Sequence, residues 1–124
     1  NTVKAPLDDV LVRQALSYAF PYDEVIDAAI GGYGRQSYGM VPFGLWGWSD
    51  ELPRYTTDLE KAKELLTEAG YPDGGFGLLL TYTAGNEAEK AVHDVLVEAW
   101  RSSGIYDPSR FSIRVWWTIG VRTM

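Results

Sequence analysis

The sequence predicts an α/β domain, and three observations predict it. The first half, residues 8–69, is helical in period on either side of an unassigned segment at 31–56. A long amphipathic stretch then lies between two strand-like runs at 78–83 and 111–119, and the helix-start signals fall where that pattern changes period. A strand, a helix and a second strand in that order form a βαβ unit, which implies parallel strands and a right-handed crossover.

Asp8 or Asp9 suits the cap of the first helix, whose Val12, Ala15, Leu16, Ala19 and Phe20 recur at helical spacing. Pro21 ends it and opens a second helix over 22–30, closed by Gly31 and Gly32. Thr57-x-x-Glu60 reads as a capping box for a third helix running to Ala69, with Ala62, Leu65, Leu66 and Ala69 inward; Gly70 and Pro72 stop it. Residues 78–83 form the first strand. Asn86-x-x-Glu89 opens the longest helix, with Ala88, Ala91, Val92, Val95, Leu96 and Ala99 as its apolar stripe, and Gly104 ends it. In the last strand Phe111, Ile113, Val115, Trp117 and Ile119 alternate with Ser112, Arg114, Trp116 and Thr118. Residues 31–56 match no regular element. They carry Tyr33, Tyr38, Phe43, Trp46, Trp48 and Tyr55 among glycines, and packing of the loop by its own rings is the commoner role for such a segment.

The 124 residues suffice for one domain with its own core. A net charge of −6, with 11 scattered basic residues, excludes a phosphate-backbone partner, so no nucleic acid is expected. The absence of cysteine removes disulfides, thiolate metal sites and Cys nucleophiles. No apolar run approaches the length of a membrane span. The strand-like run close to Met124 suggests a piece excised from a longer protein, whose exposed strand edge would favour self-association.

Catalytic signals are sparse. His93 is the single histidine, without a second ligand at metal spacing, so a solvated or packed ring is expected and no metal or cofactor is assigned. Asp8-Asp9, Asp23-Glu24 and Asp50-Glu51 stand where helix starts and turns want acids. Gly74-Gly75-x-Gly77 precedes a strand instead of following one, which excludes a dinucleotide fingerprint. Thr83-Ala84-Gly85-Asn86 does join a strand to a helix. It lacks the lysine of a phosphate loop, although the helix start could still meet a ligand's carboxylate or hydroxyl. In open α/β sheets ligands gather beyond the carboxyl ends of the strands. That edge collects Tyr82, Asn86 and Trp116, with Tyr38 from the long loop nearby, as candidate ligand-binding residues. Rings beside small polar groups suit binding better than bond-breaking.

The run Pro6-Leu7-Asp8-Asp9-Val10-Leu11-Val12-Arg13-Gln14-Ala15-Leu16-Ser17-Tyr18-Ala19 is followed by Pro21-Tyr22-Asp23, Gly31-Gly32-Tyr33-Gly34, Tyr38-Gly39-x-x-Pro42 and Gly44-x-x-Gly47. Then come Tyr55-x-x-Asp58-x-x-Lys61-Ala62-Lys63-x-Leu65-Leu66-x-x-Ala69-Gly70-Tyr71 and, after the strand, Gly85-Asn86. In this order and spacing the string resembles the C-terminal lobe of the family 5 extracellular solute-binding proteins, over nearly the whole chain. Residues 106–110 and 120–124 depart from the family's pattern.

The resemblance implies one partial lobe of a two-lobed periplasmic-binding-protein-like fold that closes on its ligand around a hinge. It also implies capture of a peptide or oligosaccharide for the permease of an ABC importer, without catalysis. The location would be periplasmic or extracellular, as a lipoprotein if anchored to the membrane. Such a piece would be largely inactive alone. Two readings from other classes stand beside it. A small α/β hydrolase or transferase would need its paired carboxylates to converge in a pocket. An interaction module would need one large exposed apolar patch.

Overall fold

Three of the four helices among the described residues begin where a short polar side chain takes over a backbone donor that the helix itself leaves free. In the computed structural model, which describes residues 2–37, 39–78, 80–105 and the backbone of 116–118, Asp9 is the cap of α1 (Val10–Tyr18). Its carboxylate accepts from the Leu11 N–H at 2.8 Å. Val12 and Ala15 are buried, and Pro21 follows too closely for the helix to run beyond Tyr18. Asp23 and Glu24 occupy the first turn of α2 (Tyr22–Ile30), where carboxylates complement the helix dipole. Gly31, at φ 60°, closes α2 in the left-handed conformation, its N–H bonded to the Asp27 carbonyl and that of Gly32 to the Ile26 carbonyl.

The start of α3 (Leu59–Glu68) corrects the capping box expected at Thr57. Asp58 is the cap, accepting from the Lys61 N–H at 2.9 Å. The Thr57 hydroxyl instead donates to the Phe20 carbonyl at 2.7 Å and accepts from the Tyr22 N–H at 3.3 Å. A hydroxyl both donates and accepts, so it can bridge the α1–α2 junction, whereas an acceptor-only carboxylate is best used at the helix start. The Asp58 N–H also donates to the Tyr18 carbonyl at 2.8 Å. These bonds tie the start of α3 to the end of α1, and the two helices pack along their apolar faces.

The β strand β1 is short, Thr81–Thr83, and pairs parallel with β2, Trp116–Thr118, in the register Thr81 with Trp116, Tyr82 with Trp117 and Thr83 with Thr118. Strand structure was expected from residue 78, but Leu78 is spent in the core, outside the ladder. The expected strand residues 111–115 and 119 lie outside the described residues. Between the strands, α4 (Glu87–Ser102) packs on α2 and on β1. The α/β class and the parallel βαβ unit are therefore present.

One core joins these elements. Val12, Ala15 and Ala19 meet Ala62, Leu65 and Leu66, with Phe76, Leu78, Leu96, Trp100 and Ile105 completing it. Trp100 is 4% exposed, and its indole N–H donates to the Ala19 carbonyl at 3.0 Å. The expected stripe on α4 lacked this residue and included Ala88, which is exposed. The long loop is only partly packed by its own rings. Phe43 meets Trp48 edge-on at 4.9 Å, the Arg35 guanidinium lies over Phe43, and Tyr55 packs on Tyr18. Met40 and Trp46, each 99% exposed, project away.

Candidate ligand-binding site

The turn from β1 into α4 is held from both sides. The Asn86 N–H donates to the Thr83 carbonyl at 3.0 Å, and the Glu89 carboxylate accepts from the Thr83 N–H at 2.6 Å. Gly85, at φ 85°, supplies the left-handed residue the turn requires. The Asn86 side-chain oxygen accepts from the Glu89 N–H at 3.1 Å, so this amide caps α4. Glu87 and Glu89 fill the first turn of the helix. A ligand carboxylate would meet these like charges, so a ligand hydroxyl, amide or ammonium is the better match to the turn. Replacing Asn86 by Ala is expected to lower stability by about 1 kcal/mol, and Asn86→Asp by much less because the cap acceptor survives. Urea denaturation of the two variants checks this ordering.

Tyr82 is half-buried on β1 and turns its ring toward α4, 5.7 Å from the ring of His93. Trp116 takes its place on β2 in register with Thr81; its side chain, and all of Tyr38, lie outside the described residues. Tyr82 and Asn86 are thus brought together at one strand end, with the Trp116 backbone on the neighbouring strand.

His93 and Glu89 were not among the candidates. Their signal was a stripe, Glu89, Val92, His93 and Leu96, at i, i+3, i+4 and i+7 on α4, which turns two ionisable groups toward β1. This stripe, with Leu80, Thr81 and Tyr82, lines a cavity of about 200 Å3. The His93 side chain is 14% exposed. Its Nδ1 lies 3.3 Å from an Asp94 carboxylate oxygen, while its Nε2 is buried with no hydrogen-bond partner among the described residues. The hydrogen bond from the Lys90 ammonium, at 2.5 Å, and then that from His93 hold the Asp94 carboxyl below the usual carboxylate range.

A larger groove of about 560 Å3 runs between α2 and α4. Its walls are mainly apolar, from residues such as Pro21, Leu59, Val95 and Ala99, and two of its carboxylates are already engaged, Asp94 with Lys90 and Glu98 with Arg101. The smaller cavity lies along β1, beside Leu80, Thr81 and Tyr82, with His93 on the wall formed by α4. The paired acids do not converge. Asp9 caps α1, Asp8 accepts from the Asp9 N–H, Asp23 and Glu24 begin α2, and the Asp50 carbonyl accepts from Arg54. Among the described residues no group of His, Cys, Asp and Glu could hold a metal ion, and no helix is long and apolar enough to cross a membrane.

Comparison with known proteins gives this geometry its context. The family model described as bacterial extracellular solute-binding proteins, family 5 middle, matches residues 1–106. Heme-binding protein A of Haemophilus influenzae is 39% identical over 108 residues, covering 85% of this chain and 20% of that protein. The dipeptide-binding protein of Escherichia coli is 49% identical over 74 residues, covering 60% of this chain and 14% of that protein. Among solved structures, the periplasmic binding protein DppA of Helicobacter pylori, in complex with the peptide STSA, superposes with a TM-score of 0.75 at 31% identity. That match covers 94% of this chain and 22% of DppA. The chain thus spans about a fifth or less of the length of these relatives.

Proposed function

Because the chain belongs to the family 5 bacterial extracellular solute-binding proteins, we propose that it forms part of one lobe of a two-lobed receptor. The receptor captures a peptide outside the cytoplasmic membrane and delivers it to the permease of an ABC importer. The family match over residues 1–106 carries this reading. Two relatives point to peptide over oligosaccharide, one named for dipeptide binding and one solved with a bound peptide. The turn at Thr83–Asn86 supports it physically, since a rigid strand end beside Tyr82 offers a preorganised edge for a ligand backbone. Tyr38, Tyr82, Asn86 and Trp116 remain the proposed contacts from this lobe, Asn86 through groups other than its capping oxygen. Periplasmic or extracellular location follows from the same reading, with lipid anchoring as its form in a lipoprotein.

The test is calorimetric titration of the full-length receptor with a dipeptide, the tetrapeptide Ser-Thr-Ser-Ala and a trisaccharide. Saturable one-to-one binding of a peptide, with at least tenfold weaker binding by the 124 residues alone, is the expected result. Binding of the trisaccharide with no response to either peptide would overturn the peptide assignment.

A further inference from the structure

We propose that the loop between α2 and α3 carries a pocket for an organic carboxylate with a small apolar body, such as an aromatic acid. The Arg35 guanidinium holds the carboxylate, and the rings of Phe43 and Trp48 back the apolar part. The pocket shares no lining residue with the cavity along β1 and does not depend on what the receptor captures there.

Charge and size set the chemistry. Arg35, Gln36, Ser37, Pro42, Phe43 and Trp48 line about 190 Å3, below the usual range for drug-sized ligands and enough for one ring with its carboxylate. Arg35 is the one charged group on this lining among the described residues. The groove between α2 and α4 has the opposite sign, with Glu24, Asp94 and Glu98 on its walls. A chain of net charge −6 thus sets a cation, and no acid, against this apolar wall, where an anionic guest meets attraction.

The cation is held in place beforehand. Its Cζ lies 3.1 Å from the centroid of the Phe43 ring, which Trp48 meets edge-on. Stacking occupies a face of the guanidinium and leaves its in-plane N–H groups for an incoming pair of oxygens. No carboxylate among the described residues pairs with it. The loop behind it is tied down as well. The Gln36 side-chain amide donates to the Tyr55 carbonyl at 2.9 Å, and Tyr55 packs on Tyr18 of α1. The Leu45 and Trp48 N–H groups close successive turns on the Pro42 and Leu45 carbonyls. The Ser37 hydroxyl, 3.5 Å from the Gly39 carbonyl, is a second donor on the lining. A fork of guanidinium N–H groups on a carboxylate is the strong, charge-assisted kind of hydrogen bond, and fixing the donor in advance lowers the entropy lost on binding. Phe43 and Trp48 add a wall that favours an organic acid over a small hydrated anion such as sulfate.

Benzoate and benzamide, alike in shape and differing in charge, test this in the full-length receptor. Binding is read from the Trp48 indole N–H resonance during NMR titration. Benzoate is expected to bind about tenfold more tightly than benzamide. Arg35→Gln is expected to abolish that preference, and Arg35→Lys, which keeps the charge without the fork, to retain part of it. Benzamide binding as tightly as benzoate, no saturable shift at Trp48, or the preference persisting in Arg35→Gln would each overturn the proposal. The comparison of probes on the unaltered protein decides the matter even where a variant fails to fold. Repeating the titration with saturating Ser-Thr-Ser-Ala identifies the source of the carboxylate. Unchanged benzoate affinity assigns the pocket to a free acid, and displacement assigns it to a carboxyl group of the captured peptide. Benzoate preference in a receptor that ignores peptides would remove the capture reading and leave the pocket standing. Peptide capture without benzoate preference would remove only the pocket.

Discussion

Replacing Trp100 by Ala is expected to destabilise the protein by about 3–5 kcal/mol, the largest loss of any single change considered. Two effects add. The indole is almost fully buried in the core cluster that also holds residues of α1 and α3, so its removal opens a large cavity there. It also deprives the Ala19 carbonyl of a donor just past the end of α1, where helical carbonyls lack intrahelical partners. Trp100→Phe separates the two, keeping most of the apolar volume and losing the hydrogen bond, for about 1–3 kcal/mol. Urea denaturation followed by far-UV circular dichroism reads both, as a lowered midpoint with an unchanged slope. A loss under about 1 kcal/mol in Trp100→Ala would mean that α4 does not hold α1 through this residue.

Trp116→Ala should give the opposite signature in the full-length receptor. We propose Trp116 as a ligand contact, because β2 places it beside the strand whose carboxyl end carries the Thr83–Asn86 turn. A well-buried ring contact contributes on the order of 1–3 kcal/mol, so affinity for the captured peptide is expected to fall by roughly one to two powers of ten. Thermal stability should fall much less than in Trp100→Ala. Titration and melting of both variants side by side make the comparison internal. Unchanged affinity with a Trp100-sized loss of stability would assign Trp116 to the core.

The contrast between these two tryptophans bears on what can be read from a sequence. The first half of the chain was legible because its signals are local. Asp9 sits within one turn of the N–H it caps, and Gly31 supplies the left-handed residue that ends α2. The resemblance was legible in the same way, as an ordered string of short motifs that the family match over residues 1–106 bears out. The strand–helix–strand order also implied parallel pairing, since a helix-length crossover brings two strands of one sheet side by side in that sense.

What lay beyond reach depends on partners far away in the chain. Thr57 looked like a helix cap until the Phe20 carbonyl and the Tyr22 N–H, 37 and 35 residues distant, claimed its hydroxyl. Trp100 sits beside Arg101 at a helix end, and only the approach of Ala19, 81 residues away, makes it core. The candidate site divides along the same line. Sequence alone determined an α/β chain, a strand-to-helix turn at Thr83–Asn86, and Tyr82 and Asn86 at that turn. Only the tertiary structure could decide that Asn86 spends its oxygen on the cap, and that the His93 ring, whose Nε2 is buried without a partner among the described residues, lies beside that of Tyr82. Helix caps and hydrophobic periods are set by neighbours within about one turn, whereas burial of a ring or a lone pair is set by whichever distant segment packs against it.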